Sequence, residues 1–223
     1  MATVGDWVVF DLDETVIDHD TFGRFLVQLL RRNTARAAAA LLVLPFVGPL
    51  IATRRFKARG VSVLLWIATV GVSDESLGKL VEGYVAELGT ISRCYREALS
   101  EIGAQLKAGN KVAVVTASAE ILARPLCHEI DPRLVVVGSR LKRIAGGLVA
   151  AEHCFGENKV APVHALRGPV RAAYSDSASD LPMLRLAEEV VLVNASPGVE
   201  RKVRRALKDR PLRLVTWSTA LAD

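Results

Sequence analysis

A chain of 223 residues is long enough to bury a hydrophobic core, and it can hold one α/β domain or a core domain with a smaller inserted one. Because 51% of its residues are hydrophobic and 24% are charged, we exclude an intrinsically disordered chain. The formal net charge of +5 is compatible with nucleic acid or with anionic lipid as a partner, and it does not choose between them.

The cysteine pattern and the N-terminus bear on the cellular compartment. Cys94, Cys127 and Cys154 lie far apart and include no CxxC spacing, so we expect neither a disulfide framework nor a zinc site. The N-terminal stretch MATVGDWVVFDLDE lacks the basic start and the long apolar segment of a secretory signal. Both features predict a cytoplasmic protein.

The first predicted element is a hydrophobic strand, VVF at 8–10, that runs into three acidic residues within four positions. Asp11, Asp13 and Glu14 repel one another at this strand end and raise each other's proton affinity. We therefore expect a positively charged group beside them.

A segment with helical patterning follows, from about residue 20 to residue 89, and the chain then alternates predicted helices and strands. Most of these strands are continuous apolar runs, which is typical of a parallel sheet buried on both faces. A Gly-Gly pair at 146 and 147 predicts a β-hairpin over residues 139–151. The predicted strands are 112–116, 134–137, 170–174, 190–193 and 212–216. The predicted helices are 92–107, 119–129, 159–166, 181–187 and 198–207.

Polar side chains follow the ends of the predicted strands, and a parallel sheet binds its ligands beyond the carboxyl ends of the strands. Carboxylates are therefore expected to converge there with hydroxyl groups and one lysine. These residues are Asp11, Asp13, Thr116, Ser118, Lys159, Asp176 and Asp180.

This set of side chains suits phosphoryl transfer. Proteins bind Mg²⁺ through one or two carboxylates together with phosphate oxygens and water, a role that Asp11 and Asp176 fit. Asp11 and Asp13 point to the same face of the strand, so one can form an aspartyl-phosphate while the other acts as acid or base. Lys159, the Thr116 hydroxyl and backbone N–H groups would neutralise the transferred phosphoryl group.

Four segments in order along the chain resemble the four motifs of the haloacid dehalogenase superfamily of phosphatases. They are DLDET at 11–15, VVTAS at 114–118, the lysine of ENKV at 159 and YSDSASDLPML at 174–184. The resemblance spans nearly the whole chain and implies Mg²⁺ as the cofactor. It also implies that Asp11 is the nucleophile and Asp13 the general acid and base. The other implied roles are substrate phosphate binding by Thr116, Ser118 and Lys159, metal binding by Asp11, Asp13 and Asp176, and support of the metal or of Lys159 by Asp180.

The segment between the first two motifs lies where this superfamily places a helical cap. We therefore predict a Rossmann-like α/β core with a mainly parallel sheet, formed by residues 1–17 and 91–223, and an inserted all-helical cap formed by residues 18–90. A cap of this kind resembles the phosphoserine phosphatase branch. A closer likeness is to the bacterial phosphatidylglycerophosphate phosphatases of type C, carried by DTFGRFLVQLLRR, ALLVLPFVGPLIA, SVLLWIATVGVS and GENKVA.

The cap contains an uncharged run of about seventeen residues, 37–53, which is just shorter than a membrane-spanning helix requires. Pro45 and Pro49 interrupt the run, so we expect a kinked pair of short helices that dips into one leaflet. A second uncharged stretch, 60–73, is either cap core or an interface anchor. The alternative is that both stretches pack within the cap or against a partner subunit. Basic residues flank the first run: Arg31, Arg32, Arg36, Arg54, Arg55, Lys57 and Arg59.

These features predict a phosphatase that dephosphorylates phosphatidylglycerophosphate, peripheral at the inner face of the cell membrane, with no nucleic-acid partner. One alternative is a soluble phosphatase for phosphoserine or another small phosphomonoester. A cap that recognises phosphoserine should offer polar groups to its ammonium and its carboxylate, and this cap has few beyond Asp18, Asp20 and its arginines. The other alternative is a non-catalytic membrane-docking module. A basic cluster at 201–208 either contacts a membrane or is a solvated helix face.

Overall fold

The computed structural model describes residues 5–53 and 56–218, without the side chain of Lys57, and contains one mainly parallel sheet. Its strands are β1 (Trp7–Phe10), β2 (Lys111–Ala119), β3 (Val135–Ile144), β4 (Gly147–Glu152), β5 (Val170–Ser175), β6 (Ala187–Val193) and β7 (Leu212–Val215). They lie in the order β4-β3-β2-β1-β5-β6-β7. Every neighbouring pair is parallel except β3 and β4, which form an antiparallel hairpin. The predicted α/β sheet and the hairpin are confirmed.

Helices cover both faces of this sheet and fill the segment between β1 and β2. They are α1 (Thr21–Arg31), α2 (Thr34–Ala52), α3 (Lys57–Thr69), α4 (Asp74–Leu88), α5 (Thr90–Arg93), α6 (Arg96–Lys107), α7 (Glu120–Ile130), α8 (Val160–Ala165), α9 (Leu181–Leu184) and α10 (Pro197–Ala206).

Two predicted helices are shorter than expected because strand pairing competes with them. The helix predicted at 92–107 is interrupted at Cys94, which pairs with Ile17, while the Tyr95 amide donates to the Val16 carbonyl at 2.9 Å. The helix predicted at 181–187 ends at Leu184, because Ala187 already pairs with Val170 in the sheet.

Alternation along β1 builds two hydrophobic cores, one on each face of the sheet. Val8 and Phe10 pack into the core that also contains buried side chains of α1, α4, α6 and α7. Trp7 and Val9 belong to the second core, which is closed by α8, α9 and α10. The first core continues into the predicted cap, where the rings of Phe25 and Tyr84 meet edge to face at 5.2 Å. The division into 1–17 with 91–223 and 18–90 stays a prediction.

The apolar run forms one helix, α2, and the expected kinked pair of short helices is wrong. Asn33 caps its start by accepting the Arg36 amide at 3.1 Å. Pro45 and Pro49 are four residues apart, so the hydrogen bonds that they remove lie on one side of the helix and the other sides continue it. Two of the flanking basic residues, Arg54 and Arg55, lie outside the described residues.

Most of the apolar surface of α2 is exposed. Leu42 and Phe46 expose 76% and 77% of their surface, and only Ala40 and Val47 are buried. The inner side packs against α3 at Gly60, where a Cβ atom would lie 3.0 Å from the Val47 carbonyl oxygen. Within the described residues, α2 is the one helix long and apolar enough to cross a membrane; α3 and α4 reach that criterion only together, with a bend of 105° between them.

Helix α3 covers the open edge of the sheet at β4. The amides of Leu148 and Ala150 donate to the hydroxyls of Thr69 and Ser62, at 2.8 and 3.1 Å. The indole N–H of Trp66 donates to the Ile144 carbonyl at 2.8 Å. Unpaired amides of an edge strand need partners, and α3 supplies them, so this helix and the hairpin are joined directly.

Candidate active site

The first acidic motif lies where β1 ends at the centre of the sheet. The Asp11 amide donates to the Tyr174 carbonyl at 3.0 Å and so extends the pairing of β1 with β5. The chain then turns sharply, because the amides of Val16 and Ile17 both donate to the Leu12 carbonyl. This turn directs the Asp11 and Asp13 carboxylates into one cavity.

Lys159 is the positive group expected beside these acids. Its ammonium donates to Asp11 Oδ1 at 2.6 Å and to Asp180 Oδ2 at 2.9 Å. A 3₁₀ turn over Gly156–Lys159 delivers the side chain, and the residue as a whole is only 1% exposed. Ser175 also donates to Asp180 Oδ2 at 2.8 Å. The Asp180 carboxylate therefore holds Lys159 and makes no capping hydrogen bond to α9.

Burial and mutual charge shift the proton affinities of this cluster. Burial raises the pKa of Asp11 well above its ordinary value, Lys159 opposes this rise, and Asp180 adds to it. Burial alone would lower the pKa of Lys159, but the two neighbouring carboxylates outweigh it and raise that pKa. Since the cluster has two carboxyl groups for one ammonium, it is suited to bind a further cation or to share a proton.

Asp13 is held by the first residue of α1. Its Oδ1 accepts the Thr21 amide at 2.8 Å and the Thr21 hydroxyl at 2.6 Å. Burial raises the pKa of Asp13 to about 6, although both hydrogen bonds from Thr21 lower it. A carboxyl group with such a pKa can give and take a proton near neutral pH.

Asp176 follows β5 and is linked to the first motif through Thr15. The Asp176 amide donates to Thr15 Oγ1 at 3.0 Å, and the same hydroxyl donates to Asp176 Oδ1 at 3.3 Å. Burial raises the pKa of Asp176 to about 6, and the charges of Glu14 and Asp180 add to that rise. Excess negative charge is thus concentrated around Asp176.

The two predicted hydroxyl residues of β2 are placed differently. The strand extends to Ala119, so Thr116 lies inside it. The prediction that this strand ends at Thr116 is therefore wrong. The buried Thr116 hydroxyl accepts the Ser118 amide at 3.0 Å. Ser118 itself lines the cavity, and its hydroxyl lies 3.2 Å from that of Thr21.

A cavity of about 290 Å³ brings most of the predicted site residues together. The predicted site residues that line it are Asp11, Asp13, Ser118, Lys159, Asp176 and Asp180, and Thr116 lies outside this lining. The rest of the lining includes an apolar wall that was not anticipated from the sequence. It is formed by Phe22 and Leu26 of α1, Val61 and Leu65 of α3, and Leu141 of the hairpin.

The cavity contains donors that suit a hard divalent cation. Residues 5–53 and 56–218 form no ready-made cluster of three or more histidine, cysteine or acidic side chains in metal-binding geometry. Mg²⁺ does not need one, because one or two carboxylates, phosphate oxygens and water complete its shell. Asp11 and Asp176 line the same cavity, and a cation would offset the charges of Glu14 and Asp180 that add to the effect of burial on the pKa of Asp176. These two carboxylates fit the ion.

Comparison with known proteins shows which family and which proteins this chain resembles. The family model of haloacid dehalogenase-like hydrolases matches residues 8–185. Protein CicA of Caulobacter vibrioides is 28% identical over 193 residues, which cover 82% of this chain and 83% of that protein. A probable phosphatase of Mycobacterium tuberculosis is 31% identical over 120 residues, which cover 48% of this chain and 40% of that protein.

Solved structures share the fold. A protein of unknown function from Bordetella pertussis Tohama I superposes with a TM-score of 0.73 at 19% identity, over 95% of this chain and 99% of that one. A phosphoserine phosphatase solved as an analogue of its phospho-aspartyl intermediate superposes with a TM-score of 0.56 at 15% identity, over 95% and 94% of the two chains.

Proposed function

This chain belongs to the haloacid dehalogenase-like hydrolase family and is a phosphatase, and from that premise we propose that it hydrolyses the phosphate monoester of a membrane lipid, phosphatidylglycerophosphate. One observation carries the proposal: helix α3, which lines the cavity with apolar side chains, packs at Gly60 against α2, whose own apolar surface is exposed. The enzyme would work as a peripheral protein at the inner face of the cell membrane.

The reaction uses the two aspartates of the first motif in turn. An Asp11 carboxylate oxygen attacks phosphorus, the bond from phosphorus to the ester oxygen breaks, and Asp13 gives its proton to the departing alkoxide. Asp13 then takes a proton from a water molecule that attacks the aspartyl-phosphate, which releases inorganic phosphate and regenerates Asp11. Lys159 and Ser118 line the same cavity and would offset the charge of the phosphoryl oxygens.

Mg²⁺ is the cofactor of the proposed reaction, in common with the phosphatases of this family. Asp11 and Asp176 would hold it through their side chains, with Asp13 beside them in the same cavity. The bound ion would neutralise phosphoryl charge and lower the repulsion between the incoming phosphate and the carboxylates.

The shape and lining of the cavity favour a lipid headgroup over an amino acid. About 290 Å³ is at the small end of ligand cavities, so it admits a headgroup and leaves acyl chains outside. The α3 wall presents Ala58, Val61, Ser62 and Leu65, none of them charged. A phosphoserine carboxylate would find no arginine among the described residues that line the cavity.

Helix α2 is suited to lie in the membrane interface and not to cross the bilayer. Its inner side is covered by α3 at Gly60, so lipid cannot surround it, whereas its outer side exposes Leu41, Leu42 and Phe46. Exposed Arg31 and Arg32 precede the helix and can contact anionic headgroups. Insertion of this outer side would bring the neighbouring α3 wall of the cavity close to the lipid surface.

The substrate is tested by measuring phosphate release with Mg²⁺ from phosphatidylglycerophosphate in mixed micelles and from phosphoserine. We expect turnover of the lipid, abolished by Asp11→Asn, and little turnover of phosphoserine. Turnover of phosphoserine alone would support the phosphatase reaction and would contradict the lipid substrate. No phosphate release from any phosphomonoester would contradict the catalytic proposal and favour a docking module.

The membrane surface is tested separately by co-sedimentation with vesicles that contain phosphatidylglycerol. We expect Phe46→Glu to reduce binding at least about tenfold, because a charge in the interface is costly. Ile121→Glu is the matched control, since Ile121 is 43% exposed on α7 and lies outside α2. Equal binding by the two variants would contradict the surface. If the wild type does not bind vesicles but forms a dimer, and Phe46→Glu dissociates that dimer, then the exposed side of α2 contacts a second copy of the chain and not a membrane.

A further inference from the structure

We infer that Thr21 is the positioning residue of the general acid, and that it holds one oxygen of Asp13 so that the other faces the leaving group. This inference rests on the proposed function, because it presumes that Asp13 protonates the departing alkoxide. Three contacts of Thr21 support it, one through each polar group of the residue.

Both donors of Thr21 converge on a single carboxylate oxygen. The amide and the hydroxyl donate to Asp13 Oδ1 at 2.8 and 2.6 Å, and no hydrogen bond reaches Oδ2 from the described residues. Thr21 is the first residue of α1, where amides have no partner within the helix, so its N–H is free for this contact. The arrangement fixes the carboxyl plane and leaves Oδ2 to carry the transferable proton.

The Thr21 hydroxyl has one hydrogen, and its neighbours decide where that hydrogen points. Its oxygen lies 2.6 Å from Asp13 Oδ1 and 3.2 Å from Ser118 Oγ. Since a carboxylate accepts more strongly than a hydroxyl, Thr21 donates to Asp13, and it accepts from Ser118 while no phosphate is bound. The general acid is thereby connected to β2, on which the second motif lies.

Tyr84 fixes the backbone of Thr21 from α4. The phenol donates to the Thr21 carbonyl at 3.1 Å, and the ring packs edge to face on Phe25 one turn along α1. Tyr84 is only 5% exposed, so this hydrogen bond is shielded from water. Helices α1 and α4 together therefore set the position of an acid that belongs to the sheet.

A positioning role has a kinetic signature that a purely structural role lacks. An alkoxide is a poor leaving group and needs a proton as it departs, whereas p-nitrophenolate departs without one. Displacing Asp13 should therefore slow hydrolysis of an alkyl phosphate far more than hydrolysis of p-nitrophenyl phosphate. The value of kcat/KM reports this comparison, because it covers the steps up to departure of the leaving group.

The experiment compares Thr21→Val, Thr21→Ser and Thr90→Val, with Mg²⁺, on an alkyl ester, phosphatidylglycerophosphate in mixed micelles, and on an aryl ester, p-nitrophenyl phosphate. We expect Thr21→Val to lose about 10- to 100-fold in kcat/KM on the alkyl ester and less than about threefold on the aryl ester. Thr21→Ser keeps the hydroxyl and should restore the alkyl reaction. Thr90→Val is the matched control, because Thr90 is equally buried and its hydroxyl has no hydrogen-bond partner among the described residues.

Tyr84→Phe provides a second variant if Thr21→Val does not fold, and it should show a smaller loss with the same dependence on the leaving group. Equal losses on both esters, or none on either, would overturn the inference while the proposed phosphatase reaction stands. Failure of the wild type to hydrolyse either ester would instead remove the proposed function and this inference with it.

Discussion

The ammonium of Lys159 lies 2.6 Å from Asp11 Oδ1, although 148 residues separate the two along the chain. Each residue reaches the cavity from a different element, Asp11 from the end of β1 and Lys159 from the 3₁₀ turn before α8. Both side chains are buried, so their charges are poorly screened by water. This ion pair links the stability of the fold to the candidate active site.

Replacing the lysine should therefore weaken the fold as well as abolish activity. Lys159→Met leaves the Asp11 and Asp180 carboxylates buried together without a cation, and we expect the free energy of unfolding to fall by about 3–5 kcal/mol. Urea denaturation measures this change, and phosphate release measures the activity. The double variant Lys159→Met with Asp180→Asn should recover part of the stability and none of the activity. Unchanged stability in the single variant would contradict this account.

The metal-free protein should lose stability as the pH rises from about 4 to about 6. Burial raises the pKa of Asp13 and Asp176 to about 6, whereas an aspartate in the unfolded chain titrates near about 3.9. Between these values the folded state binds more protons than the unfolded state, so the free energy of unfolding falls with rising pH. Thermal unfolding in the presence of EDTA across this range measures the effect.

Asp176→Asn is the control for this pH dependence, because an amide cannot titrate. The difference in Tm between the variant and the wild type should grow in favour of the variant from about pH 4 to about pH 6. A cation competes with the proton for the carboxylate, so Mg²⁺ should raise the Tm of the wild type more at pH 7.5 than at pH 5. A larger effect of Mg²⁺ at the lower pH would contradict the assignment of Asp176 to the metal.

The three cysteines should be unreactive in the folded protein. Burial raises the pKa of Cys94 to about 12 and that of Cys154 to about 11, and it raises the pKa of Cys127 as well. The thiolate is the reactive form, so a disulfide reagent at pH 8 should titrate no thiol before unfolding. The same titration in guanidinium chloride should detect all three. Rapid reaction of any thiol in the native protein would contradict the burial of the three cysteines.

The sheet and the acidic end of the site were predictable because their signals are local. Continuous apolar runs marked the strands, and Asp11, Lys159 and Asp176 follow or precede strands whose carboxyl ends meet at one edge. Thr116 was misplaced because β2 continues to Ala119, past a register shift in its pairing with β3. Strand ends are the least reliable part of such a prediction.

The contacts made by the helices between β1 and β2 could not be predicted from the sequence. In the sequence, Thr21 is an ordinary first residue of a helix. Its hydroxyl reaches Asp13 through the folded turn between β1 and α1, and it reaches Ser118 through the packing of α1 against β2. The apolar wall of the cavity likewise depends on how α1 and α3 face each other. The sequence could not show whether Phe46 is exposed or buried, because an apolar helix has the same pattern whether it packs inside a protein or contacts lipid.

The contact between α3 and the β3–β4 hairpin should depend on the absence of a side chain at Gly147. A Cβ atom there would lie 2.5 Å from Trp66 Cδ1, and the indole cannot withdraw without losing its hydrogen bond to the Ile144 carbonyl. We expect Gly147→Ala to lower the free energy of unfolding by about 1–3 kcal/mol, measured by urea denaturation, and to speed hydrogen exchange at the Leu148 amide.

Gly103→Ala is the matched control for this substitution, because Gly103 lies inside α6 and a methyl group there would meet no neighbouring described atom within 4 Å beyond the backbone of its own helix. The change should be neutral or stabilise the helix by up to about 1 kcal/mol. Equal stability of the two variants would show that α3 is not fixed against the hairpin, and the apolar wall of the cavity would then be free to move.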